Sequence, residues 1–167
     1  MEITAEAAAQ SILNHFSEGG KVVLPVDPVE VARFLGINVY KTKLDNTLSG
    51  MIAKVSPQAD TDIIVNSEQA PVRQRFTIAH ELGHYFAIRS DPIRDGKPFI
   101  HRRAQLAACG TDSEEIFANG FAAQLLMPRN EVIDASRIGA DAALLAPRFH
   151  VSLDAMTNRL RSLGLAK

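Results

Sequence analysis

Within the run His80-Glu81-Leu82-Gly83-His84, two histidines stand four residues apart with a glutamate beside the first. On a helix that spacing lays both imidazoles on one face, where they can reach a single metal ion. Zinc suits such a pair. It takes nitrogen and oxygen ligands tetrahedrally, can keep one position for water, and lowers the pKa of that water to about 7. Glu81 would then take a proton as water attacks a peptide carbonyl, the work of a catalytic base. With five histidines and nine glutamates in the chain, chance alone yields H-E-x-x-H in roughly one such sequence in a hundred. The motif therefore needs support from the element that carries it.

Periodicity supplies that support. From Pro71 to Ile88 the chain reads as one helix, with Val72, Phe76, Ala79, Leu82, Gly83 and Phe86 on an apolar stripe at about 100° per residue. The histidines fall at the edge of this stripe, between a core and a cleft, and Glu81 is expected to point further toward the cleft. A second strong helix, Ser113 to Leu126, places Glu115 in line with Asn119, Ala122 and Leu126. A carboxylate on so apolar a helix is costly unless paired or ligated. Glu115 is thus the expected third metal ligand, and Asn119, one turn on, the group that holds a liganding imidazole from behind. Glu114 and Asp112 are the alternatives. Thr111-Asp112-Ser113-Glu114 matches a capping box, which occupies Glu114 and leaves Glu115 for the metal.

The remaining elements form the frame. Apolar spacing from Ile3 to Phe16 predicts a first helix ended by a left-handed glycine cap at Glu18-Gly19-Gly20. Asp27 as N-cap and Pro28 at the first helical position predict a short helix ending at Gly36. Extended stretches at Ile37 to Tyr40, Leu48 to Val55 and Asp62 to Asn66 predict a small antiparallel, three-stranded sheet. Residues 90–112 carry prolines, glycines and basic side chains without a lasting period, and read as a long loop suited to be a lid. Shorter helices follow, including Ser152 to Leu163. The fold class is α+β, mainly helical, and no repeat or low-complexity linker interrupts it.

Composition narrows the setting. The 167 residues suit one domain, residues 1–167. Eighteen basic against nineteen acidic residues give no general attraction to nucleic acid or acidic membranes. A single cysteine, Cys109, excludes an internal disulfide framework and fits a reducing cytoplasm. The start of the chain lacks a signal-peptide pattern and no stretch reaches membrane-spanning length, so a cytoplasmic, membrane-free protein is expected.

Four blocks, PVDPVEVARFLGINVY, IIVNSEQAPVRQRFTIAHELGHYF, EEIFANGFAAQLLMP and FHVSLDAMTNRLRSLGL, occur in this order. Together they resemble the ImmA/IrrE family of metallo-endopeptidases from Val22 to Leu165. The resemblance implies a zincin-like metallopeptidase domain with one zinc ion per chain, His80, His84 and Glu115 as ligands and Glu81 as base. It also implies a substrate, since members cleave a helix-turn-helix repressor and so release phage, mobile-element or stress genes. Members can carry an extra DNA-binding or sensory domain. A one-domain chain has no room for either, so the repressor is expected to be a separate protein and direct nucleic-acid binding is not expected.

Two other readings use the same residues. One is a metal-containing module that sequesters a repressor without cutting it, and the other a protease acting on a toxin or antitoxin. Tyr85, His101, Arg102 and Arg103 are candidates for stabilising the oxyanion that peptide hydrolysis needs, although Tyr85 fits ordinary packing and His101 a solvated loop. His15 and His150 lie away from the motif in sequence, and Cys109 reads as a small packed or exposed thiol. The final block has the apolar spacing of a DNA-recognition helix but lacks a basic cluster, and it reads as a helix closing the core with Arg159 and Arg161 in solvent.

Overall fold

The computed structural model describes residues 3–104, 113–137, 139 and 141–165. Helix α1, Ala5–Leu13, starts where the Thr4 hydroxyl accepts a hydrogen bond from the Ala7 amide at 3.2 Å. It tightens into a 3-10 turn at Asn14–Phe16. The expected glycine cap is replaced by a hairpin of β1, Ser17–Glu18, and β2, Lys21–Val22. Gly19 and Gly20, at φ 57° and 80°, form its turn. Two consecutive left-handed residues match the right-handed twist of a hairpin, which a single capping glycine would not require. Helix α2, Pro28–Phe34, starts as expected, with the Asp27 carboxylate accepting from the Val29 amide at 2.9 Å.

The main sheet comprises β3, Ile37–Thr42; β4, Leu48–Lys54; β5, Thr61–Asn66; and β6, Phe99–Ala104. Its order is β3-β5-β4-β6. The expectation of three antiparallel strands is corrected twice: there are four strands, and β3 runs parallel to β5, whereas β4 is antiparallel to both β5 and β6. Asn66 sits at the crossing. Buried at the end of β5, its side chain donates to the carbonyls of Asp45 and Leu48 and accepts from the amides of Leu44 and Glu68. It thereby ties down the connection from β3 to β4 as it passes over β5, and buried backbone groups there are satisfied. The fourth strand falls within the stretch expected to be a loop. Its exposed Arg102 suits a sheet edge, where charge is tolerated and deters further pairing.

Five further helices lie among the described residues: α3, Pro71–Ser90; α4, Ser113–Leu126; α5, Arg129–Arg137; α6, Ala142–Phe149; and α7, Leu153–Ser162. Helix α3 lies over the sheet so closely at Gly50 that a Cβ there would stand 2.6 Å from Thr77 Cγ2. On its other side it crosses α4 at Gly83, and Phe86 stacks on Phe121 at 5.0 Å between ring centroids. Ile52, Ile63, Ile78, Leu82, Phe121 and Leu125 are fully buried around these contacts. Each contributes about 1.5–3 kcal/mol relative to exposure. No helix among the described residues is long and apolar enough to cross a membrane.

Candidate metal centre

Sandwiched between the sheet and α4, helix α3 buries its H-E-x-x-H run: His80, Glu81 and His84 are at most 1% exposed. Asn119 stands behind His80, its amide oxygen 2.9 Å from Nδ1. An amide oxygen only accepts, so Nδ1 carries the proton and Nε2 presents a lone pair. That lone pair faces His84 Nε2 at 3.0 Å and Glu115 Oε2 at 3.4 Å, while His84 Nε2 lies 3.1 Å from Glu115 Oε1. A tetrahedral zinc ion with ligands at ~2.0–2.1 Å sets its donor atoms about 3.4 Å apart. The observed separations are within a few tenths of an ångström of that edge. Among the described residues, His80, His84 and Glu115 are the group whose ligand atoms converge in this way. Two imidazole nitrogens and a carboxylate are the donor chemistry zinc takes, so the residues fit the ion.

The close helix crossing is what brings Glu115 to α3. A Cβ on Gly83 would sit 2.6 Å from Ala118 Cα and 2.9 Å from its carbonyl oxygen, so only glycine allows α4 to approach at the turn carrying the histidines. Glu114 instead pairs with Arg94 at the surface. Asp112, with the start of the capping box, lies outside the described residues, as does Cys109.

Glu81 departs from its expected outward position. It is 0% exposed, and the β6 residue His101 lies beside it. Antiparallel pairing sets Ile52 opposite His101, and Ile63 opposite Ile52, so His101 continues the inward row of the sheet and reaches the site. Its ring stacks on His84 at 3.5 Å, its Nδ1 is 3.7 Å from Glu81 Oε2, and its Nε2 is 3.4 Å from Glu115 Oε1. The His101 pKa is raised, first by the close Glu81 carboxylate and further by the charges of Glu115 and Glu114, with burial opposing. His101 is thus part of the cluster, not a solvated loop residue. The signal was the alternation Phe99, His101 against Ile100, Arg102, masked by two adjacent arginines.

Tyr85 packs edge-on against Phe86 beneath Arg89, Arg102 is exposed, and the side chain of Arg103 lies outside the described residues. His15 donates to the Ser11 carbonyl and tilts against Phe34. His150 takes a left-handed conformation, φ 52°, to end α6. The expectation of a solvated Arg159 is corrected: it is 6% exposed, because its guanidinium ties α7 to the end of α4 through the Met127 carbonyl and Gln124.

The sequence profile of the IrrE N-terminal-like domain, Peptidase_M78, matches residues 32–161. The chain belongs to the Peptidase_M78 family. Membership carries a metallopeptidase-type role, and the histidine–carboxylate cluster lies within the matched span. No curated protein matches the chain in sequence. Among solved structures, a Mycobacterium tuberculosis transcriptional regulator shares the fold with a TM-score of 0.61 at 22% identity. The alignment covers 93% of this chain and 46% of the regulator, so this Peptidase_M78 chain spans about half that protein's length.

Proposed function

We propose that the chain is a zinc endopeptidase of the cytoplasm, binding one zinc ion per chain and cutting a peptide bond in a separate helix-turn-helix repressor. The observation that supports this reading is the convergence of His80, His84 and Glu115 beside the buried carboxylate of Glu81. His80 and His84 would hold the ion through Nε2 and Glu115 through its carboxylate, with Asn119 fixing the His80 ring. Zinc, when bound, supplies a Lewis acid that polarises the scissile carbonyl and acidifies water. Glu81 takes the proton of the attacking water and delivers it to the departing amine. The name of the structurally similar Mycobacterium tuberculosis protein, a transcriptional regulator, is consistent with a substrate in gene control.

His101 is assigned to the carbonyl oxygen. From its place on the inner face of β6 it offers an imidazole N–H to the charge that develops as water adds. His101→Ala should lower kcat by roughly 10²–10³-fold with zinc content and KM little changed; an unaltered kcat would remove it from the reaction. The function itself is tested by incubating the zinc-loaded chain with a cell extract and sequencing newly formed protein N-termini. New termini within a helix-turn-helix repressor, absent after chelation and restored by zinc, are expected. Termini confined to a toxin or antitoxin would redirect the substrate. Intact repressor recovered in complex, freed from DNA, would favour sequestration.

A further inference from the structure

Helices α2 and α3 touch the main sheet and each other, and α3 rests on the face that carries Gly50 and Ile52. Strand side chains alternate, so the neighbouring row of residues faces the other way. Across the four strands that outer row runs Tyr40, Ile64, Met51 and Arg102, each paired with the next. Asp62 and Ile100, both paired with Ala53, stand in the row beside it. Among the described residues no helix packs on this face. A sheet face left in water usually carries polar side chains. Here Tyr40 is 52% exposed and Ile100 61%, with Ile64 and Met51 half-buried on the strands between them.

The face is complementary to itself. A two-fold axis along the strands, between β5 and β4, lays β3 of one copy over β6 of the other and β5 over β4. That is the aligned packing of two sheets, about 10 Å apart, and every contact in it occurs twice. Ile64 then meets Met51 of the second copy, and Tyr40 meets Arg102 of the second copy, a cation over an aromatic ring. Asp62 lies one strand and one row from Tyr40, within reach of the same guanidinium; its carboxylate also accepts from Asn38 at 2.9 Å. Each copy thus offers an anion on one side of the axis and a cation on the other, and the two-fold brings unlike charges together. Four short strands present roughly 400 Å² of face, against ~800 Å² per partner in a standard interface. The pairing is therefore weak and reversible.

We infer that the outer face of the main sheet pairs with the same face of a second copy of this chain, forming a weak two-fold dimer through Tyr40, Ile64, Met51 and Arg102. The inference goes beyond the endopeptidase reading and does not depend on it, since His101 and the metal cluster lie on the opposite side of the sheet. Sedimentation velocity of the full chain from about 5 to 500 µM tests it, and a reversible monomer–dimer equilibrium with Kd on the order of 10–300 µM is expected. Arg102→Glu and Asp62→Arg each set like charges against one another and should weaken association at least ~tenfold. An equal mixture of the two variants should recover it, because the two-fold sets each altered residue against its altered counterpart. Should Asp62→Arg not fold, Arg102→Glu and Tyr40→Ser, both at exposed positions, decide by the same loss. A chain that stays monomeric throughout that range, a dimer indifferent to these variants, a mixture that associates no more tightly than its components, or open-ended assembly would overturn the inference.

Discussion

Glu81→Gln is expected to keep its zinc and to lose roughly 10²–10⁴-fold in kcat, the usual contribution of a positioned general base. The substitution conserves shape and hydrogen-bonding length but removes the basic oxygen. Glu81 is not among the three side chains whose ligand atoms converge, so the metal should stay. It is fully buried, with His101 3.7 Å away, so an isosteric amide also disturbs packing least. Metal analysis and peptide-cleavage kinetics on one preparation separate the effects. Full turnover in the variant would assign the base elsewhere; loss of metal together with turnover would mean that Glu81 holds the site together and is not simply a base.

Gly83→Ala should be unusually harmful for the addition of one methyl group. The new Cβ would meet Ala118 Cα at 2.6 Å and its carbonyl oxygen at 2.9 Å, and backbone cannot turn aside as a flexible side chain would. The helices must separate, at a cost of about 1–3 kcal/mol and a fall in Tm of roughly 2–12 °C for a domain of this size. The separation also carries Glu115, one turn before Ala118, away from the histidines, so zinc affinity should fall with stability. Gly120→Ala on the same helix is the control. Among the described residues its Cβ would meet only Ala5 Cβ, at 3.3 Å, and removing a helical glycine is worth up to ~1 kcal/mol, so Tm should hold or rise slightly. Scanning calorimetry with metal titration reads both. An unperturbed Gly83→Ala protein would show that the crossing is looser than the structure has it.

Much of the cluster was legible because helical chemistry is local. An i,i+4 pair of histidines needs only a helix to share a face, and Glu115 with Asn119 obeys the same rule on the second helix. What depends on distant partners was not legible. The parallel pairing of β3 with β5 sends the chain across the end of β5, where Asn66 reaches back to Asp45 and Leu48, a contact that no strand pattern encodes. β6 is short and basic, and its alternation acquires meaning only once Ile52 stands opposite His101. Arg159 looked solvated because long basic side chains usually are; its burial depends on acceptors more than thirty residues away at Gln124 and Met127.

The central claim is that His80, His84 and Glu115 form one zinc site, and elemental analysis tests it most directly. The wild-type chain and Glu115→Ala are purified without added metal or chelator and compared by mass spectrometry of total metal. About one zinc per wild-type chain, lost or strongly depleted in the variant, is the predicted result. Wild-type protein that takes up no zinc even when it is offered, or a Glu115→Ala chain that retains it in full, would contradict the account.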